Sequence, residues 1–212
     1  MVSSFSRWWR APLLEKVAML WRRYWAIKSQ VYFGPQFKSF GRRSTILRPL
    51  LIRHPECIEV GERTSIRDGV RLEVVRDPYG REPRLTIGSH THIEQNVHIV
   101  CHSRVAIGSN VAIAAACAIV DLTHTFRDIH SGLRIADRVA DEDSFVEICD
   151  GAFLGYGAVV LPNVRVGRSA VIGANSVVTR DVPDFGVAAG VPAVLLEVYD
   201  QDKCEWIKTS KR

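Results

Sequence analysis

The chain has 212 residues, 47% hydrophobic and 24% charged, the balance of an ordinary soluble globular protein with one sizeable core. Its net charge of +5 is unevenly placed: residues 1–53 hold eleven Lys/Arg against the single acid Glu15, and the rest of the chain is net acidic. The five cysteines (Cys57, Cys101, Cys117, Cys149 and Cys204) form no CxxC pair, which argues against a disulfide framework or zinc knuckle and for a reducing cytoplasm.

In "SFSRWWRAPLLEKVAMLWRRYWAIK", Phe5, Trp8, Trp9, Leu13, Val17, Leu20, Trp21, Tyr24 and Trp25 recur at three- and four-residue steps. This predicts an amphipathic helix over residues 3–28, with Arg7, Arg10, Lys16, Arg22, Arg23 and Lys28 mostly on its other sides. A basic, Trp-rich helix suits peripheral contact with the inner face of a membrane, the anionic neighbour that the charge asymmetry also suggests. The same stripe equally fits packing on the chain's own body or on a neighbouring subunit. Its longest apolar run, Val17–Trp21, is too short to span a bilayer or serve as a secretory h-region.

Beyond this basic segment (residues 1–52) a repeat takes over. Ile148, Leu154, Val160, Val166, Ile172 and Val178 follow one another at a spacing of six. Small or β-branched residues (Ala152, Ala158, Val164, Ala170, Ser176 and Val182) stand four places after each. The same frame runs through Ile87–Ile93–Ile99 and Ile107–Ile113–Ile119, with a weaker copy in Val60, Ile66 and Leu72. Six residues are too few for a helical unit but suit a short strand plus a tight turn. Three units then close an 18-residue triangular coil whose aliphatics stack in the interior. The predicted fold is a parallel β-helix over residues 53–197, followed by a C-terminal tail, 198–212.

The array halts at "IVDLTHTFRD". Residues 123–147 are polar and lack the repeat, so they leave the prism as a loop, and long loops in compact domains are usually functional. His124 stands at the root of that loop. An imidazole titrates near neutrality, so it can take a proton and return it.

From Ile93 to His124, "IEQNVHIVCHSRVAIGSNVAIAAACAIVDLTH" resembles, without a gap, the galactoside and maltose O-acetyltransferases of the hexapeptide-repeat acyltransferase family. "AFLGYGAVVLPNVRVGRSAVIGANSVVTRDVPDFGVAAGVP" is similar to that family's coenzyme A-binding coils. The resemblance covers about residues 55–195. It implies a left-handed β-helix, a hand that periodicity alone does not give and that runs against the usual right-handed crossover. It implies a homotrimer with sites in the clefts between subunits, and a catalytic role for His124. Asn96 matches the asparagine that holds the acceptor sugar, with Asp128 as a second acceptor-side residue. The coenzyme would lie along Gly155, Tyr156, Ala174, Thr179 and Arg180, with Arg180 holding its phosphates alone or with Arg168. Two departures stand out: Phe153 replaces a frequent Trp, and Val194–Glu197 lacks the family's cation after the "VPA" turn.

The implied function is transfer of an acetyl group from acetyl-CoA to a saccharide hydroxyl in surface polysaccharide or lipopolysaccharide synthesis. N-acetylation of an amino sugar and a non-catalytic β-helix scaffold are the alternatives. No metal is expected, because none of the histidine pairs has the spacing of the zinc-binding β-helix carbonic anhydrases, and a zinc site needs three convergent ligands. A nucleotidyltransferase is argued against by the absence of a Gly-rich nucleotide loop, and no nucleic acid partner is implied. Asp121 and Asp128, on either side of His124, are candidates to orient its ring.

Overall fold

A computed structural model describes residues 12–76, 82–127, 129–130, 132–135, 138 and 143–209. Among the described residues, helix α1 (Leu13–Lys28) and two short helical turns (Ser29–Phe33 and Gly34–Gln36) precede a triangular prism of short strands. The first coil is β1 (Ser39–Phe40), β2 (Thr45–Ile46) and β3 (Leu51–Arg53). The second is β4 (Ile58–Val60), β5 (Ser65–Ile66) and β6 (Arg71–Val74). The third is β7 (Arg84–Ile87), β8 (His92–Ile93) and β9 (His98–Cys101), and the fourth β10 (Arg104–Ile107), β11 (Ala112–Ile113) and β12 (Ala118–Val120). The loop intervenes, and then come β13 (Phe145–Ile148), β14 (Phe153–Leu154) and β15 (Val159–Val160). The sixth coil is β16 (Val164–Val166), β17 (Val171–Ile172) and β18 (Val177–Val178).

Every strand pairs in parallel with its counterpart one coil away, giving three faces: β1-β4-β7-β10-β13-β16, β2-β5-β8-β11-β14-β17 and β3-β6-β9-β12-β15-β18. We call them faces 1, 2 and 3. The registers turn the six-residue spacing into ladders. Val60, Ile87, Ile107, Ile148 and Val166 stack on face 1. Ile46, Ile66, Ile93, Ile113, Leu154 and Ile172 stack on face 2. Ile52, Leu72, Ile99, Ile119, Val160 and Val178 stack on face 3. All but the half-buried Ile52 are at most 3% exposed, and together they are the core. The small residues four places on are buried at the corners, where the chain turns too sharply for a large side chain. At one corner Ser44, Thr64 and Thr91 are buried and donate to Gly61, Gly88 and Gly108 carbonyls one coil on, which satisfies both ends. Several turns need a residue at positive φ, and Asn96, Asn110, Asn163 and Asn175 supply it.

The coils begin earlier than the repeat suggested. Phe40, Ile46 and Ile52 keep the six-residue step, but the polar residues around them hide it. At the far end β19 (Gly186–Gly190) extends face 2, and β20 (Ala193–Asp200) and β21 (Glu205–Lys208) add antiparallel strands to it, so part of the segment read as a tail is a hairpin.

Helix α1 closes the other end. β2 is the edge strand of face 2, and its backbone groups would be unpaired there. Ser29 Oγ, fully buried, accepts from Ile46 N–H at 2.8 Å and donates to Trp25 C=O at 2.6 Å. Gln30 Nε2 donates to the Gly41 and Ser44 carbonyls. Only Trp25 of the helix is buried, so a single turn docks. Residues 3–11 of the expected helix lie outside the described residues.

Candidate active site

The residues singled out from the sequence sort onto two edges of the prism, on either side of face 3. Turns between faces 2 and 3 form one column, tied coil to coil by backbone bonds Asn96 N–H to Asp68 O, Ala116 N–H to Gln95 O, Gly157 N–H to Ala115 O and Asn175 N–H to Tyr156 O, at 2.7–3.0 Å. Asn96, Gly155, Tyr156 and Ala174 all belong to this column. Gly155 is buried where coils touch most closely: a Cβ there would stand 2.7 Å from the Ala174 nitrogen and 2.8 Å from the Ile172 oxygen. Only glycine fits, which leaves Tyr156, 58% exposed, and Ala174 on an uninterrupted backbone wall. Asn96 also has a structural task. It holds a left-handed turn (φ 57°), and its carboxamide sits over Gly69, whose missing side chain makes the room.

The other column, between faces 3 and 1, carries His124, Thr179 and Arg180. His124 follows β12, and its exposed ring has no hydrogen-bond partner among the described residues. Thr179 and Arg180 follow β18, two coils on or about 10 Å, and are also exposed. Arg180 makes no ion pair among the described residues, leaving its guanidinium free for an external anion. A cleft of about 460 Å³ opens along this edge, lined by Glu82, Ser103, Arg104, Asp143, Ser144 and Phe145.

Two assignments change. Asp121 does not reach for His124. It is fully buried, and its carboxylate accepts the backbone N–H groups of His102, Ser103 and Arg104, from the coil beneath, at 2.6–2.8 Å. Ser144 Oγ, across the loop, donates to its backbone carbonyl. Asp121 thus pins both ends of the loop to the prism. Burial pushes its carboxyl pKa up, against the pull of those three amides. Nothing in the one-dimensional sequence marks this contact, because it depends on which corner lies one coil below. Asp128 lies outside the described residues.

Arg168 is not beside Arg180. It sits at the corner between faces 1 and 2, and its Nε donates to Asp184 Oδ2 at 2.7 Å. Asp184 also accepts the Arg168 N–H and a contact from Arg165, and the Arg168 backbone and side-chain bonds hold its carboxyl below the usual carboxylate range. A depressed native pKa adds stability above the unfolded value, 3.8, which is lost as pH falls through the native one. We expect the melting temperatures of wild type and Asp184→Asn to differ at pH 5 and converge toward pH 2. A difference constant across that range would remove the pair's role.

Comparison with known proteins agrees with this fold. The sequence model of the bacterial transferase hexapeptide family (six repeats) matches residues 145–180. The chain is 34% identical over 174 residues to WbbJ of Escherichia coli K12, named for O-acetyl transfer in lipopolysaccharide biosynthesis, covering 80% of this chain and 86% of that protein. It is 34% identical over 179 residues to the galactoside O-acetyltransferase of the same organism, covering 80% and 84%. Among solved structures, the N-acyltransferase AntD from Bacillus cereus, in complex with dTDP and 3-hydroxybutyryl-CoA, superposes with a TM-score of 0.65 at 17% identity, covering 82% of this chain and 90% of that one. The chain belongs to the hexapeptide-repeat acyltransferase family, and its prism is the left-handed β-helix of that family. It is an acyltransferase.

Proposed function

We propose that the protein transfers an acetyl group from acetyl-CoA to a hydroxyl of a saccharide bound for surface polysaccharide or lipopolysaccharide. The observation that carries this reading is the sorting of the residues onto two edges. One offers a proton acceptor, His124, and a free cation, Arg180; the other offers an open backbone wall and Asn96. The long pantetheine arm of CoA would run along the coils, with its phosphates met by Arg180 and Thr179. His124 takes the proton of the acceptor hydroxyl as its oxygen attacks the thioester carbonyl. Backbone N–H groups steady the tetrahedral oxyanion. Its collapse breaks the C–S bond, and the protonated imidazole returns the proton to the departing thiolate. Asn96, and Asp128 with it, would position the sugar.

The two edges cannot meet within one chain. Asn96 precedes β9 and His124 follows β12, so the four-residue width of face 3, about 13 Å, separates them. Copies packed side by side bring one edge against the other, and three prisms close such a ring. We therefore expect light scattering to give three times the 23.8 kDa chain mass, and a monomer would refute the shared site. The same reading sets the enzyme at the inner face of a membrane, reached through α1, where a lipid-linked acceptor would be offered.

Labelled acetyl-CoA with a panel of free and lipid-linked saccharides tests the activity. Label in an alkali-labile ester supports O-transfer. Label in an amide on amino sugars only would replace it with N-transfer, the reading suggested by the likeness to AntD. No incorporation with any acceptor would refute both.

A further inference from the structure

Helix α1 leaves an apolar face uncovered. Leu13, Val17, Leu20, Trp21, Tyr24 and Ile27 are 49–76% exposed, although each is a residue that burial would favour. At 100° per residue they occupy an arc of about 120°. This is not the face that docks: Trp25, 6% exposed, and Ser29 hold the helix to the edge of β2 from another side. The docking turn therefore fixes the helix and presents its apolar face outward. No helix among the described residues is long and apolar enough to cross a membrane.

Charge identifies what covers this face. Residues 12–53 hold nine Lys/Arg and one acid, Glu15, which on the helical projection falls opposite the apolar arc. Lys16 and Arg23 project along one border of the arc. Lys28 bends its ammonium over the Trp25 ring at 4.6 Å and the Tyr32 ring at 5.6 Å, its stem lying with the aromatic group while its charge stays at the rim. Arg42 and Arg43, in the turn after β1, are exposed and make no ion pair among the described residues. A second copy of this end would bring like charges together. An anionic bilayer takes both the apolar arc and the cations around it.

We infer that the outward face of α1 is an interfacial anchor that seats the end of the β-helix on an anionic lipid bilayer. This deepens the membrane reading above and does not depend on the acetyl-transfer chemistry. The test is flotation of the full chain with phosphatidylcholine vesicles, with and without phosphatidylglycerol. Leu20→Glu places a charge in the arc, and the Arg22→Glu/Arg23→Glu double variant reverses charge outside it; all three positions are exposed, so the fold is kept, as a thermal melt will verify.

The full chain should float with the phosphatidylglycerol vesicles, and far less with phosphatidylcholine alone. Either variant should lower the bound-to-free ratio at least about tenfold, as should raising salt to about 0.5 M. No flotation, flotation indifferent to lipid charge, or flotation unchanged in Leu20→Glu would overturn the inference. A smaller solution mass for Leu20→Glu with no flotation of wild type would assign the face to a second copy instead. CoA titration of the same samples reports separately on the acetyltransferase reading, so the two can fail independently.

Discussion

Replacing His124 by Ala should lower acetyl transfer about 10²–10⁴-fold, the loss expected when a general base is removed, while CoA affinity should stay within about twofold of wild type. The split is the informative part. Of the residues proposed to hold CoA, Gly155, Tyr156 and Ala174 lie on the other column, and Thr179 and Arg180 stand two coils away, so an alanine at the loop root leaves them in place. Single-turnover rates with the identified acceptor, beside calorimetric CoA binding, provide both numbers. Transfer at the wild-type rate would make His124 a bystander. Equal loss of CoA binding would give it a role in the fold of the loop.

The second large effect falls on stability. Asp121→Ala removes the acceptor of three backbone N–H groups, those of His102, Ser103 and Arg104, at a fully buried position. Each stranded amide costs about 1–3 kcal/mol, so the loss should be about 3 kcal/mol or more in urea unfolding. Asp121→Asn keeps one acceptor oxygen and should recover part of it. A change within about 0.5 kcal/mol for Asp121→Ala, the range of an ordinary surface substitution, would contradict the pinning role. Loss of activity at unchanged stability would return Asp121 to the task of orienting His124.

Much of this fold is legible because its core obeys a count. A side chain that must point inward once per six-residue unit has to be aliphatic, so the spacing of Ile87, Ile93 and Ile99 is enough to announce three faces. The break at His124 is equally visible, since a prism tolerates irregular chain only outside itself. The count also separates the two site columns: Asn96 comes three residues after Ile93 on face 2, and His124 five after Ile119 on face 3, which puts them at different corners. Other features escape it. Phe40, Ile46 and Ile52 keep the step among arginines and turn residues that mask it. The hairpin of β20 and β21 pairs antiparallel and carries no six-residue signal. The bonds of Asp121 and Arg168 join residues 16–19 positions apart, and only the coil register shows that these are neighbours.

Helix α1 sits at one end of the prism, and His124 leaves the prism at the fourth coil. Coils rise by the strand spacing, about 4.8 Å, so three steps lift the loop root about 14 Å above the first coil. The thickness of the helix adds about 10 Å more. On an enzyme seated on a bilayer as proposed, the His124 imidazole would thus be held at a set height, and the β-helix would act as a ruler. For a lipid-linked acceptor, a hydroxyl on the sugar nearest the anchor would fall short of it, whereas one several units out along the glycan would come level with it. The number of coils between the helix and the loop would then set which sugar in a chain is acetylated, and adding or deleting one 18-residue coil would move that position outward or inward.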